Sequence, residues 1–178
     1  DPDALKGALE ALDRSGDAPL EGLGELSPPA LVAHILERYH EPLRPALEDL
    51  IALARRVEHR HGDRADCPRG LASLLQIGAR ELDLHLHKEE QILFPAVARG
   101  MTEELAGPVW VMENEHEEHG RFLEGLRELA HDFQPPVDAC NSWRALYLGL
   151  ADLERELHEH ILVENHFLFP RLRPAKQG

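Results

Sequence analysis

Two segments place a histidine and a glutamate four residues apart inside otherwise apolar runs. They are His85 and Glu89 in "HLHKEEQILFP" and His160 and Glu164 in "EHILVENHFLFP". A spacing of four puts both side chains on one face of a helix, one turn apart. Two further histidines, His40 and His116, stand on the apolar faces of their own segments. A buried imidazole beside a buried carboxylate is costly unless it is paired or ligated. Several such groups converging in one layer have the donor chemistry of a divalent metal site.

The elements that must position these residues are helices. Leu and Ala dominate, aromatics make up only 5% of the chain, and β-branched residues are few, which favours an all-α protein. Ser27 followed by Pro28 is a helix start, and the apolar pattern runs from there to about His61, where "HGDRADCPRG" breaks it. A second helix is predicted from about Gly70 to Phe94, stopping before Pro95. A third runs from Gly107-Pro108 to about Phe133, and a fourth from near Asp138 to Pro170. Four long helices with short connections give an antiparallel up-and-down four-helix bundle over 27–174. Residues 1–26, with an amphipathic piece carrying Leu5, Leu9 and Leu12, read as a short N-terminal extension: a remnant plus a connector.

Each helix has a seam stepping by threes and fours. The seams read His40, Leu43, Leu47, Leu50, Ala54, Val57, His61; Leu71, Leu75, Gly78, Leu82, His85, Glu89, Ile92; Val109, Met112, His116, His119, Leu123, Leu126, Ala130; and Trp143, Leu146, Leu150, Leu153, Leu157, His160, Glu164, Phe167. Every seam is apolar except where it carries His or Glu. In antiparallel hairpins residues equidistant from the turn share a height, so His40, His85/Glu89, His116 and His160/Glu164 fall in one slab. His61 does not: 21 residues beyond His40 is roughly 30 Å along a helix, which makes it a loop or cap histidine.

Four histidines and two carboxylates are too many for one tetrahedral zinc. They suit two irons, each with two histidines, bridged by Glu89 and Glu164, with coordination positions left open for an oxo bridge and a diatomic ligand. A ferritin-like ExxH scheme through Glu37/His40 and Glu113/His116 is formally available, but it strands His85 and His160. His119 lies on the seam and reads as a core residue, a ligand or a partner of one. His87, His158 and His166 sit two residues from ligands and should point to solvent. Lys88 and Glu90 also fall outside the seam, while Glu81 and Glu115 flank it. Pro42 and Pro45 each remove an intrahelical hydrogen bond beside His40, predicting a local kink.

Composition narrows the function classes. The net charge of −14 makes nucleic acid and anionic membrane poor partners. Twelve histidines are spread along the chain and form no tag-like tract. Cys67 and Cys140 are far apart, without the spacing of a disulfide framework or a zinc ribbon, and read as a loop and a packing cysteine. No leader or bilayer-length apolar stretch is evident, so a cytoplasmic location is the default expectation. The opening residue is Asp1 rather than Met, which is compatible with sequence upstream.

Together "RYHEPLRPAL", "HLHKEEQILFP", "VMENEHEEHG", "PPVDAC" with a Trp three residues on, and "EHILVENHFLFP" resemble the haemerythrin-like domains. More closely, they resemble the Ric (repair of iron centres) group of di-iron proteins, over about residues 28–172. The resemblance implies terminal ligands His40, His85, His116 and His160, with Glu89 and Glu164 bridging. It implies a stress protein that protects or repairs iron–sulfur clusters damaged by nitric oxide or oxidants. Such a protein would bind NO, O2 or peroxide, reduce NO to N2O or donate iron, and have iron–sulfur proteins as clients; a homodimer is compatible with it. Two departures stand out. Oxygen-carrying haemerythrins resemble this pattern but have a second histidine where this chain has Gly120, and the adjacent cysteines with which Ric proteins begin have no counterpart here. A non-enzymatic sensor or carrier of O2 or NO is the competing expectation.

Overall fold

Ser27 begins the first long helix: its Oγ accepts the N–H of Ala30 at 3.4 Å, and Pro28 and Pro29 occupy the first turn, where no intrahelical N–H is needed. The computed structural model describes residue 20, residues 22–101 and residues 104–173. All regular structure among them is helical. Helix α1 spans 28–61, α2 spans 71–98, α3 is Ala106–Leu129, and α4 spans 141–168 before a final 3-10 turn, Phe169–Leu172. Each helix packs on its sequence neighbour and α4 returns against α1, so the bundle is up-and-down and antiparallel, as the seams predicted. No helix among the described residues is long and apolar enough to cross a membrane. The expected N-terminal remnant lies outside the described residues except for its last part. There a 3-10 turn, Leu23–Glu25, buries Leu23, and Arg171 holds the carbonyls of Gly24 and Leu26.

Three of the four helices are interrupted by a π turn: Leu36–His40 in α1, Glu89–Leu93 in α2 and Glu164–Leu168 in α4. In each, a backbone bond reaches back five residues, from Glu41 to Leu36, Phe94 to Glu89 and Phe169 to Glu164. In each, the very next residue is a proline: Pro42, Pro95 or Pro170. Proline lacks an N–H and its ring collides with the carbonyl four residues back; a turn widened by one residue moves that carbonyl aside. The kink expected at Pro42 takes this form. Proline therefore does not end α2, which continues through Pro95 to Ala98, correcting the predicted stop. The extra residue also moves the seam on by one: Ile92 is 60% exposed whereas Leu93 and Phe94 are buried. On α4, Leu168 and Phe169 are buried and Phe167 only partly so. α3 ends at Leu129, short of the predicted Phe133, because His131, Asp132 and Phe133 all take positive φ and turn the chain away. α4 starts at Asn141, three residues after the predicted Asp138.

The buried residues form two apolar clusters. One fills the longer part of the bundle around Leu47, Leu75, Leu126 and Trp143. The other, around Ile35, Phe94, Val109 and Phe169, closes the end where the chain enters and leaves. The Gly78 backbone lies against the Phe122 ring so closely that a Cβ would stand 2.2 Å from it, which fixes the approach of α2 to α3. At the far end Glu58 accepts the N–H of Ala72 at 2.9 Å, capping α2 from α1. Arg64 bonds both Asp66 and Asp138, tying the α1–α2 loop to the α3–α4 loop.

Candidate metal centre

Between the two clusters lies a slab of buried polar side chains, one set from each helix. His40, His85, His116 and His160 are each 5% exposed or less, and Glu89 and Glu164 are fully buried. The two pairs of rings meet nitrogen to nitrogen. His40 Nε2 stands 3.2 Å from His160 Nε2, and His85 Nε2 stands 3.2 Å from His116 Nε2. Glu164 spans the pairs, Oε1 lying 3.0 Å from His160 Nε2 and Oε2 3.1 Å from His116 Nε2. Glu89 Oε2 lies 3.4 Å from His40 and 3.5 Å from His85. Two four-ligand sets result, His40–Glu89–His160–Glu164 and His85–Glu89–His116–Glu164, sharing both carboxylates.

The outer nitrogens fix which way three of the four rings are protonated; His160 Nδ1 has no such partner. His40 Nδ1 faces Glu90 Oε1 at 3.0 Å, His85 Nδ1 faces Glu115 Oε2 at 2.9 Å, and His116 Nδ1 faces Asn165 Oδ1 at 3.0 Å. Carboxylate and amide oxygens only accept, so Nδ1 donates and the Nε2 lone pair points into the slab. His85 and His116 thus meet lone pair to lone pair beside Glu89 and Glu164, a repulsion that a cation in the gap would relieve. Neither oxygen of Glu89 has a hydrogen-bond partner, a cost that fully buried carboxylates do not carry without compensation. The donor set, two imidazoles and two shared carboxylates per position, fits a pair of divalent cations, and second partners of this kind are what orient metal-bound histidines.

Aromatic rings fill one side of the slab: Phe169 stacks on His116 at 5.7 Å, Tyr39 stacks on His160 at 5.3 Å, and Phe94 lies 5.5 Å from His40. A cleft of about 430 Å³ opens between α1 and α4, walled by Leu43, Leu50, Leu53, Leu153 and Leu157, and reaches His160.

The family described as Hemerythrin HHE cation binding domain matches residues 31–172. The chain belongs to this family. It is also 43% identical over 171 residues to proteins named iron-sulfur cluster repair protein YtfE from Yersinia pseudotuberculosis (serotype O:1b, strain IP 31758) and Yersinia pestis (strain Pestoides F). Those matches cover 96% of this chain and 77% of each relative, which places the chain in the iron–sulfur cluster repair branch of the haemerythrin-like proteins. Membership of a cation-binding family agrees with the donor chemistry of the slab.

Burial and crowding set the charges of this haemerythrin-type site before any cation enters. Burial, with the neighbouring His116, pushes His85 down to about 2, so its ring is neutral at physiological pH and available as a ligand. Burial and the charge of Glu164 push Glu89 well above the usual carboxylate range. Burial opposes ionisation of Glu164 too, but His160 and His116 outweigh it and hold Glu164 well below that range.

All six predicted ligand residues come together in the slab. The ferritin-like scheme does not form: Glu37 is exposed, and Glu113 pairs with Arg173 at the surface. His61 sits at the far end, 3.2 Å from Cys140 Sγ and against Trp143. His87, His158 and His166 are exposed, as expected, and so is Glu81, which flanks the seam. Glu90 is the correction. Placed outside by the seam, it holds His40 and is itself held by Arg44, which also bonds Asp83. Asn165 was not anticipated, and Lys88, expected outside, pairs with Glu115. Their only mark in the sequence is adjacency: Glu90 and Asn165 each directly follow one of the two shared glutamates, and Glu115 directly precedes His116.

Proposed function

We propose that this protein is a di-iron protein that repairs or protects iron–sulfur clusters under nitrosative and oxidative stress. The observation that carries the reading is the shared pair Glu89 and Glu164, buried between two imidazole pairs, with Glu89 lacking any hydrogen-bond partner. Imidazole and carboxylate donors in this ratio suit iron, and the names of the relatives speak for the cluster-repair role. His40 and His160 would hold one ion, His85 and His116 the other, with both carboxylates bridging. When bound, two ferrous ions supply the two electrons that couple two NO molecules, with two protons, into N2O and water.

What the chain contributes is placement. The bridging carboxylates hold the two positions side by side, so two small ligands would lie adjacent and the coupling becomes effectively unimolecular. Glu90, Glu115 and Asn165 lock three of the four rings in the metal-facing tautomer. The leucine-walled cleft admits a small apolar molecule from the α1–α4 side. Iron donation to a damaged cluster is the second role: a carboxylate with no hydrogen bond holding it can change its binding mode and release an ion.

Anaerobic titration of the ferrous-loaded protein with NO, with N2O measured in the headspace, tests the reading. Formation of N2O at about half an equivalent per NO is expected. NO bound with no N2O would defeat the reductase role, and uptake of fewer than two irons would defeat the centre itself.

A further inference from the structure

The two faces of the centre are not alike. Toward the chain ends it is closed by Tyr39, Phe94 and Phe169 and by the two carboxylates, which lie one turn from His85 and His160 in that direction. Toward the longer cluster, the next residue inward on each helix is Leu43, three after His40; Leu82, three before His85; Leu157, three before His160; and His119, three after His116. The three leucines belong to the long apolar cluster, as do Phe122 and Leu123 just beyond His119. One layer therefore faces the metal positions from the side the carboxylates do not occupy, and it consists of three leucines and one histidine.

His119 is 4% exposed, and its Nδ1 is buried without a partner. Its ring stands edge-on to His85, at 4.7 Å and 87°, and 6.1 Å from His116. It lies outside both four-ligand sets. A buried ring nitrogen with nothing to bond is costly, and leucine at this position would complete the layer without that cost. From these facts we infer that His119 is the hydrogen-bond donor to a diatomic ligand held on the core-facing side of the centre. The layer is otherwise apolar, so one N–H directed at the ligand's outer atom both stabilises the charge drawn onto it and fixes its orientation. In such surroundings a hydrogen bond to a partly charged acceptor is stronger than in water. This inference rests on the di-iron reading.

The test uses the ferrous-loaded chain with one equivalent of NO, comparing wild type with His119→Leu and with His119→Gln, which keeps an N–H donor. Donation to the NO oxygen lowers the N–O stretching frequency. His119→Leu is expected to take up two irons, raise that frequency, abolish the small shift seen in D2O, and release NO about tenfold faster. His119→Gln is expected to lie between the two. Where the leucine variant does not fold, His119→Met takes its place. A His119→Leu protein with two irons and an unchanged stretch and release rate overturns the inference and leaves the centre standing. A His119→Leu protein that loses one iron also overturns it, because His119 is then a ligand. Wild-type protein that takes up no iron removes the di-iron reading and the inference with it.

Discussion

An imidazole can present either nitrogen, and in this slab the choice is made by neighbours on other helices. Glu115 on α3 holds His85 on α2, Glu90 on α2 holds His40 on α1, and Asn165 on α4 holds His116 on α3. Removing such an outer acceptor frees the ring to turn and weakens its lone pair as a donor. Glu115→Ala is expected to lower iron affinity about 10–100-fold while leaving the far-ultraviolet circular dichroism unchanged; competition with a calibrated chelator measures it. His85→Ala removes the ligand itself and should leave less than one iron per chain with helicity retained, so unchanged iron content would strike that residue from the site. The convergence of the six slab residues was legible from the sequence because they break an apolar seam. Their outer partners were not, since each of these bonds crosses to another helix and a single helix's periodicity carries no information about its neighbour's polar rim.

At the scale of the helix, proline was the sign most easily misread. Pro95 and Pro170 looked like stops, and both lie within continuous helical chain after a π turn. The turn adds one residue, so the seam residue after Glu89 is Leu93 rather than Ile92. A one-residue insertion can be removed: deleting exposed Gln91 together with Pro95→Ala, which relieves the collision between ring and carbonyl, should convert the turn to regular α-helix with Leu93 and Phe94 still buried. Glu90 would then no longer reach His40, and iron affinity should fall by the roughly 10–100-fold expected for losing an outer acceptor, while the fold survives. Deleting Glu117 from α3, which has no π turn, rotates everything beyond it by about 100° and should abolish folding; circular dichroism and iron content distinguish the two deletions. The loops have a titratable tie of their own. Hydrogen bonding to Arg64 holds Asp66 and Asp138 below their ordinary 3.8. Folded values lower than unfolded ones mean that this stabilisation is present above pH 4 or so and is lost as pH falls through the lowered folded values. Asp138→Asn should therefore melt below wild type at pH 6, with the gap closing as the pH drops below 3. A constant gap across that range would refute the assignment.

For the whole molecule, the centre divides the core. The longer cluster contains leucines from all four helices and needs no cation to bury them, whereas the end cluster is joined to it only across the polar slab. Without cations the slab contains inward-pointing lone pairs and a carboxylate, Glu89, that shares no hydrogen bond. Iron should therefore contribute to stability unevenly along the bundle. Binding at a hundredfold excess over the dissociation constant adds about 2.7 kcal/mol, which for a domain of this size is about 5–10 °C in Tm. Chelation should lower Tm by that order without loss of helix. Amide hydrogen exchange then separates this reading from a uniform one. Protection should drop over 31–40, 85–97, 109–119 and 160–172, and hold over 43–57, 71–82, 123–126 and 143–157. A drop spread evenly over both sets would mean that the two clusters fold as one unit and that the slab is not the joint between them.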